Sequence, residues 1–188
     1  MSFDATNLEQ TLAFHCAPSL SGIKPADLIS WNLPEPESEA LLADYIALLA
    51  RRGVCLRVLR RREQKCLLLI YRPEQLADWL AQRPVSDMLE REGYPVDQGQ
   101  EAMLEELARR LTAQDFPHEI GLFLGYPPAD VEGFRRNKGR NCKLAGLWKV
   151  YDQVEEAARR FRAFDLCRVQ LCTQLAAGKT LEQLLVAV

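Results

Sequence analysis

The sequence predicts an α+β, or mixed α/β, fold: a small mixed sheet of about four strands, one hairpin among them, covered by helices and followed by a long C-terminal helix. Three observations carry this expectation. Leu41, Leu42, Tyr45, Leu48 and Leu49 recur at helical spacing, after Ser38 as a capping residue and before Gly53 as a stop. Two strand-sized apolar runs, Val54–Leu59 and Lys65–Tyr71, flank the polar stretch Arg60–Gln64, which reads as a hairpin turn. From Asp152 onward, Val154, Ala157, Ala158, Phe161 and Phe164 or Asp165 trace one helical face, with Asp152 and Glu155 spaced as a capping signal.

The remaining elements follow from local punctuation. Asn7–Cys16 reads as a short helix with Leu8, Leu12 and either Phe14 or His15 inward. Pro18, Gly22, Pro25, Pro34 and Pro36 then make Ala17–Glu37 an irregular arm, longer than mere linkage requires. Pro73 suits the first turn of a helix through Gln82, and Pro84 starts another that stops at Gly93. Gly99 precedes a helix with Met103, Leu104, Leu107 and Leu111 inward. His118–Tyr126 reads as a strand, Pro128–Asn137 as a short helix and Leu144–Tyr151 as a further strand. Gly178 ends the long helix, and Thr180 caps a terminal turn through Leu185. The expected organisation is a single domain over residues 1–188, in which the helix and arm of residues 1–37 pack on a core of residues 38–188.

Composition narrows the function classes. With 48% hydrophobic and 27% charged residues, the chain has ordinary globular usage, which excludes disorder and low complexity. Its 24 Lys+Arg and 26 Asp+Glu leave a formal charge of −2, so a nucleic-acid or membrane partner would have to use a local patch, and neither is expected. Met1–Gln10 has no Lys or Arg and leads into no signal-like apolar stretch, and the apolar runs fall short of the ~20 residues that span a bilayer. The six cysteines are scattered, with no C-x-x-C, and Cys167 and Cys172 lie roughly 140° apart on a helix. A cytoplasmic protein with reduced thiols and no metal site is the expectation, and the sequence leaves the identity of any cofactor unknown.

The most unusual segment is Phe116–Pro127. On a strand, His118 and Glu119 point to opposite faces, while Glu119, Gly121, Phe123 and Gly125 share one. Two glycines on one face permit close approach of a helix or of a ligand. At Gly125-Tyr126-Pro127-Pro128 a helix begins, and Asp130 and Glu132 already satisfy its positive end. Arg135, Arg136, Lys138, Arg140 and Lys143 form one basic cluster, and Arg57, Arg60, Arg61, Arg62 and Lys65 a second at the hairpin. Either is ordinarily a solvated loop; together they can clamp phosphates or an acidic protein surface. Few aromatics are interleaved with them, as base stacking would require. Ala176–Thr180 lacks the first glycine of a phosphate loop and reads as helix stop plus cap.

Phe116-Pro117-His118-Glu119-Ile120-Gly121 through Leu124-Gly125-Tyr126-Pro127, with Asp130-Val131 and Phe134, and then Gly146-x-Trp148-Lys149-Val150-Tyr151, resemble the signature of the bacterial DUF3793 family. His15-Cys16-Ala17-Pro18-x-Leu20-x-Gly22-x-Lys24 is similar to that family's N-terminal motif. The family is defined without an assigned function. The resemblance implies a cytosolic bacterial protein, often of anaerobes, with flavodoxin-type redox neighbours; the Arg135–Lys143 loop is richer in arginine than the family pattern.

Two readings follow. In the first, a small molecule or cofactor is bound, with or without turnover, where the His15–Lys24 arm meets the His118–Pro127 and Gly146–Tyr151 segments. His118 is then the acid/base candidate and Glu119 its partner or a proton acceptor. Lys24 and Lys149 hold an anion, and His15, Cys16, Gly121, Gly125, Tyr126 and Trp148 line the ligand. In the second, a non-enzymatic adaptor docks an acidic, flavodoxin-like partner through Arg60, Arg61, Arg135, Arg136, Lys138 and Arg140.

Overall fold

In the computed structural model, which describes residues 7–32, 36–112 and 116–185, the chain divides into two compact units. The first takes in Met1–Gln75 and Leu166–Val188, the second Leu76–Asp165. The class is mixed α+β, as the sequence predicts, and its strands are distributed as a three-stranded antiparallel sheet and a separate two-stranded one.

The first unit opens with α1 (Leu8–Leu20), whose N-terminus is capped by the Asn7 side chain, accepting from the Gln10 N–H at 3.1 Å. The expected stop at Cys16 is overrun, although Pro18 lies inside the helix. Pro18 lacks an N–H, but Ala17 and Leu20 are fully buried, and Ser19 N–H donates to Asp27 at 3.1 Å, which together hold the last turn. Within the predicted irregular arm, Ala26–Asn32 forms strand β1. Pro25 sits just before it, where a missing donor disturbs no ladder bond, and Ile29 and Trp31 bury while Ser30 and Asn32 face outward. The arm's Leu33–Glu35 lies outside the described residues.

Helix α2 (Pro36–Ala50) leads to the expected hairpin of β2 (Cys55–Arg62) and β3 (Lys65–Tyr71), with Glu63 left-handed in the turn at φ 52°. The sheet order is β1-β3-β2, both pairs antiparallel. Central β3 is flanked on both sides, and Leu68, Leu69 and Ile70 are fully buried, hence its continuous apolar run. A bulge between Val58 and Arg60 breaks the register of β2, which is why its alternation is imperfect. Leu12, Leu49, Leu68 and Ile70 share this unit's core with Leu171 and Leu181, from the C-terminal helices.

In the second unit, α4 (Arg83–Arg91) follows α3 (Pro73–Leu80), and α5 (Gly99–Leu111) buries Met103, Leu104, Leu107 and Leu111 as predicted. The predicted strand His118–Tyr126 is instead a helical turn, α6 (Ile120–Phe123), closed by Tyr126 N–H donating to Gly121 C=O at 2.9 Å with Gly125 left-handed at φ 75°. Ile120–Leu124 is buried all round, and a run without an exposed face has no period to distinguish turn from strand. Helix α7 (Pro128–Arg136) matches expectation. The predicted strand Leu144–Tyr151 is folded back at Gly146 into a hairpin of β4 (Leu144–Ala145) and β5 (Lys149–Val150). Helix α8 (Val154–Ala176) buries Ala157 and Phe164 on its predicted face. After Gly178, in the first unit, Thr180 and Gln183 form a capping box for α9 (Leu181–Leu184).

Candidate functional site

The β4–β5 hairpin is too short to hold itself, with only two pairs of facing residues. Asp130, in the first turn of α7, holds it. Buried to 2% exposure, its carboxylate accepts from the Trp148 indole N–H (2.7 Å), the Tyr151 N–H (2.7 Å) and the Asp152 N–H (3.1 Å). A carboxylate this enclosed is tolerable because donors surround it.

Trp148 is thereby fixed and then packed from several directions. Tyr126 stacks on it with ring centroids 4.9 Å apart and planes at 26°. Phe161 meets it edge-on at 4.5 Å, and the Arg160 guanidinium lies 5.0 Å from its ring while donating to Gly125 C=O at 2.8 Å. Burial lowers the pKa of Arg160. Glycines make these approaches possible. A Cβ on Gly121 would lie 2.9 Å from the Tyr126 ring and 3.0 Å from Val131, and one on Gly146 would lie 2.2 Å from Phe161.

This packing leaves a cavity of about 330 Å³ within the second unit, near the small end of the ~300–1,000 Å³ range of ligand pockets. Ile120, Val131, Phe134, Leu147 and Trp148 contribute apolar walls, together with Phe116, Gly121, Tyr126 and Gly146. His118, Asp130 and Lys149 line it as well, beside the Tyr126 phenol. The exposed His118 meets the Phe134 ring edge-on at 5.2 Å. Lys149 Nζ lies 5.9 Å from the same ring's centroid and donates to Gly139 C=O.

A family model described as "Protein of unknown function (DUF3793)" matches residues 12–185, nearly the whole of the described chain. The chain belongs to the DUF3793 family. No curated protein and no solved structure gives a match.

Of the predicted site residues of this DUF3793 protein, His118, Gly121, Tyr126, Trp148 and Lys149 line the one cavity. Gly125 supports it through Arg160. Glu119 turns elsewhere: it is buried and accepts from the Tyr94 hydroxyl (3.3 Å) and Arg110 (3.0 Å). Arg110 also donates to Glu106 at 2.6 Å and covers the Tyr94 ring at 4.1 Å, so Glu119 closes a structural network. Burial first, then the Glu119 charge, pushes the Tyr94 hydroxyl far above its ordinary value.

His15, Cys16 and Lys24 belong to the first unit. Exposed His15 packs edge-on against Phe14 at 4.9 Å, and desolvation, then the Arg168 charge, lowers its pKa. Cys16 is fully buried, which pushes its thiol well above the ordinary 9.0 and keeps it protonated. Lys24 is buried in an ion pair with Asp27.

The basic clusters are partly neutralised by pairing: Arg61 with Glu39, Arg135 with Glu92, and Arg136 with Glu132 at 3.6 Å. Arg60 is half-buried, whereas Lys138 and Arg140 are exposed. Among the described residues, no group of three or more His, Cys, Asp or Glu is gathered as a metal site, and no helix is long and apolar enough to cross a membrane.

The clamp role of Asp130 and the packing of Phe116, Phe134 and Arg160 were not legible beforehand. The only trace in the sequence is the glycines themselves: in the structure Gly121, Gly133 and Gly146 each have an aromatic ring where a Cβ would be.

Proposed function

We propose that this protein binds a small molecule in the cavity between α6, α7 and the β4–β5 hairpin. The observation that carries the reading is the cavity itself: about 330 Å³, walled by aromatic and branched apolar side chains, with His118 and Lys149 as polar members. A few placed polar groups in an otherwise apolar concavity are the usual make-up of such sites. Trp148, held by Asp130 and Tyr126, forms a preorganised wall, so little side-chain ordering is left for a ligand to impose. If the bound molecule is turned over, His118 is the acid/base group, since its imidazole can both give and take a proton. The six free cysteines fit a reducing bacterial cytoplasm as its setting.

A small-fragment screen by protein-observed NMR tests the reading. Hits should move the indole N–H resonance of Trp148 while leaving those of Trp31 and Trp79 in place, and His118→Ala and Lys149→Ala should weaken them. Hits that move only other residues would overturn it. Docking of an acidic, flavodoxin-like partner has less support, because Arg61, Arg135 and Arg136 already face carboxylates of this chain.

A further inference from the structure

We infer that the cavity selects a ligand with one apolar ring and a single anionic head, the chemistry of an aryl-substituted carboxylate. The inference rests on the reading of the cavity as a ligand site and adds the class of ligand. Among the described residues, Asp130 is the only acidic side chain lining it, and its carboxylate accepts from three donors that hold the hairpin to α7. Asp130 is also only 2% exposed, so it offers a cationic ligand little surface, and such a ligand would face Lys149 as well. The groups left to a ligand are themselves donors. Lys149 gives one N–H to Gly139 C=O and keeps two more, and the His118 ring, which lies against Phe134, can donate as well. Both contact Phe134, so a ring lying on that wall would bring an attached acidic group toward both.

The apolar walls supply affinity through burial of the ring, and the Lys149 ammonium supplies the sign of charge. The volume suits one ring with a short acid-bearing chain. An amide isostere would keep the burial and lose the charge-assisted hydrogen bonds, a loss of roughly tenfold or more in affinity.

The test titrates the full chain with 3-phenylpropionate, 3-phenylpropionamide and 3-phenylpropylamine, following the Trp148 indole N–H by NMR. We expect the acid to bind at least about tenfold tighter than the amide and the amine to bind weakest. Lys149→Met should weaken the acid more than the amide and so shrink the acid's advantage, and Lys149→Arg should restore it. Equal binding of acid and amide overturns the charge selection while leaving the cavity as a ligand site. No movement of the Trp148 resonance by any of the three overturns both.

Discussion

Asp130→Ala removes one side chain and leaves three donors without their acceptor: the Trp148 indole N–H and the backbone N–H groups of Tyr151 and Asp152. The indole is buried and loses its partner outright, at about 1–3 kcal/mol. The two backbone groups are partly buried and can be reached in part by water, so each falls near the lower limit, about 1 kcal/mol. The sum, about 3–5 kcal/mol, is a large fraction of the ~5–15 kcal/mol by which a native protein is stable. Asp130→Asn should cost less, about 1–2 kcal/mol, because an amide oxygen can still serve Tyr151 and Asp152 while its NH₂ is turned to the Trp148 donor. Urea unfolding followed by tryptophan fluorescence gives both values, and the Trp148 indole N–H shift reports whether the ring has left its place. A loss below about 1 kcal/mol for the alanine variant, with that resonance unmoved, would refute the assignment of Asp130 as the clamp of the hairpin.

Other perturbations read other parts of the molecule. Gly121→Ala puts a methyl group 2.9 Å from the Tyr126 ring and 3.0 Å from Val131, so it should cost about 1–3 kcal/mol and disturb the Tyr126–Trp148 stack, measurable by thermal unfolding and near-ultraviolet dichroism. Cys16 should resist iodoacetamide at pH 8 in the native chain and react once the chain is unfolded in urea, as mass spectrometry of the labelled peptides would show. Glu106 has its carboxyl held down to about 2, from 4.5, chiefly by hydrogen bonding from Arg109 and also from Arg110, against the opposing effect of burial. A folded pKa below the unfolded one means stability that is present above pH ~4.5 and lost as pH falls toward 2. Glu106→Gln should therefore be less stable than the parent at pH 7, with the gap closing across that window in urea titrations; a gap independent of pH would rule out the ionised pair as its source.

Much of the architecture is written locally. Helices α2, α5 and α8 and the β2–β3 hairpin follow from apolar spacing, and the α9 cap from Thr180 and Gln183 three residues apart, because each depends on neighbours along the chain. Family membership was likewise legible, in the strings around His118 and Trp148. Strand β1 was not: Ala26–Asn32 lies near prolines, and what makes it a strand is its ladder to Lys65–Tyr71. Nor was α6, since Ile120–Leu124 is buried all round and shows no period.

For the candidate site, the residue types were visible and their grouping was not. His118 and Glu119 are adjacent in sequence, yet one lines the cavity and the other closes a network with Tyr94 and Arg110. Asp130 read as a helix-end carboxylate, and only the return of the chain at Gly146 brings Trp148 and Tyr151 to it. The sequence by itself thus determined the mixed α+β class, most of the helices and the family, because these depend on local spacing and on a contiguous motif. Tertiary structure alone decided which side chains gather around His118, because Phe134, Trp148 and Lys149 meet there through packing between segments that no local period encodes.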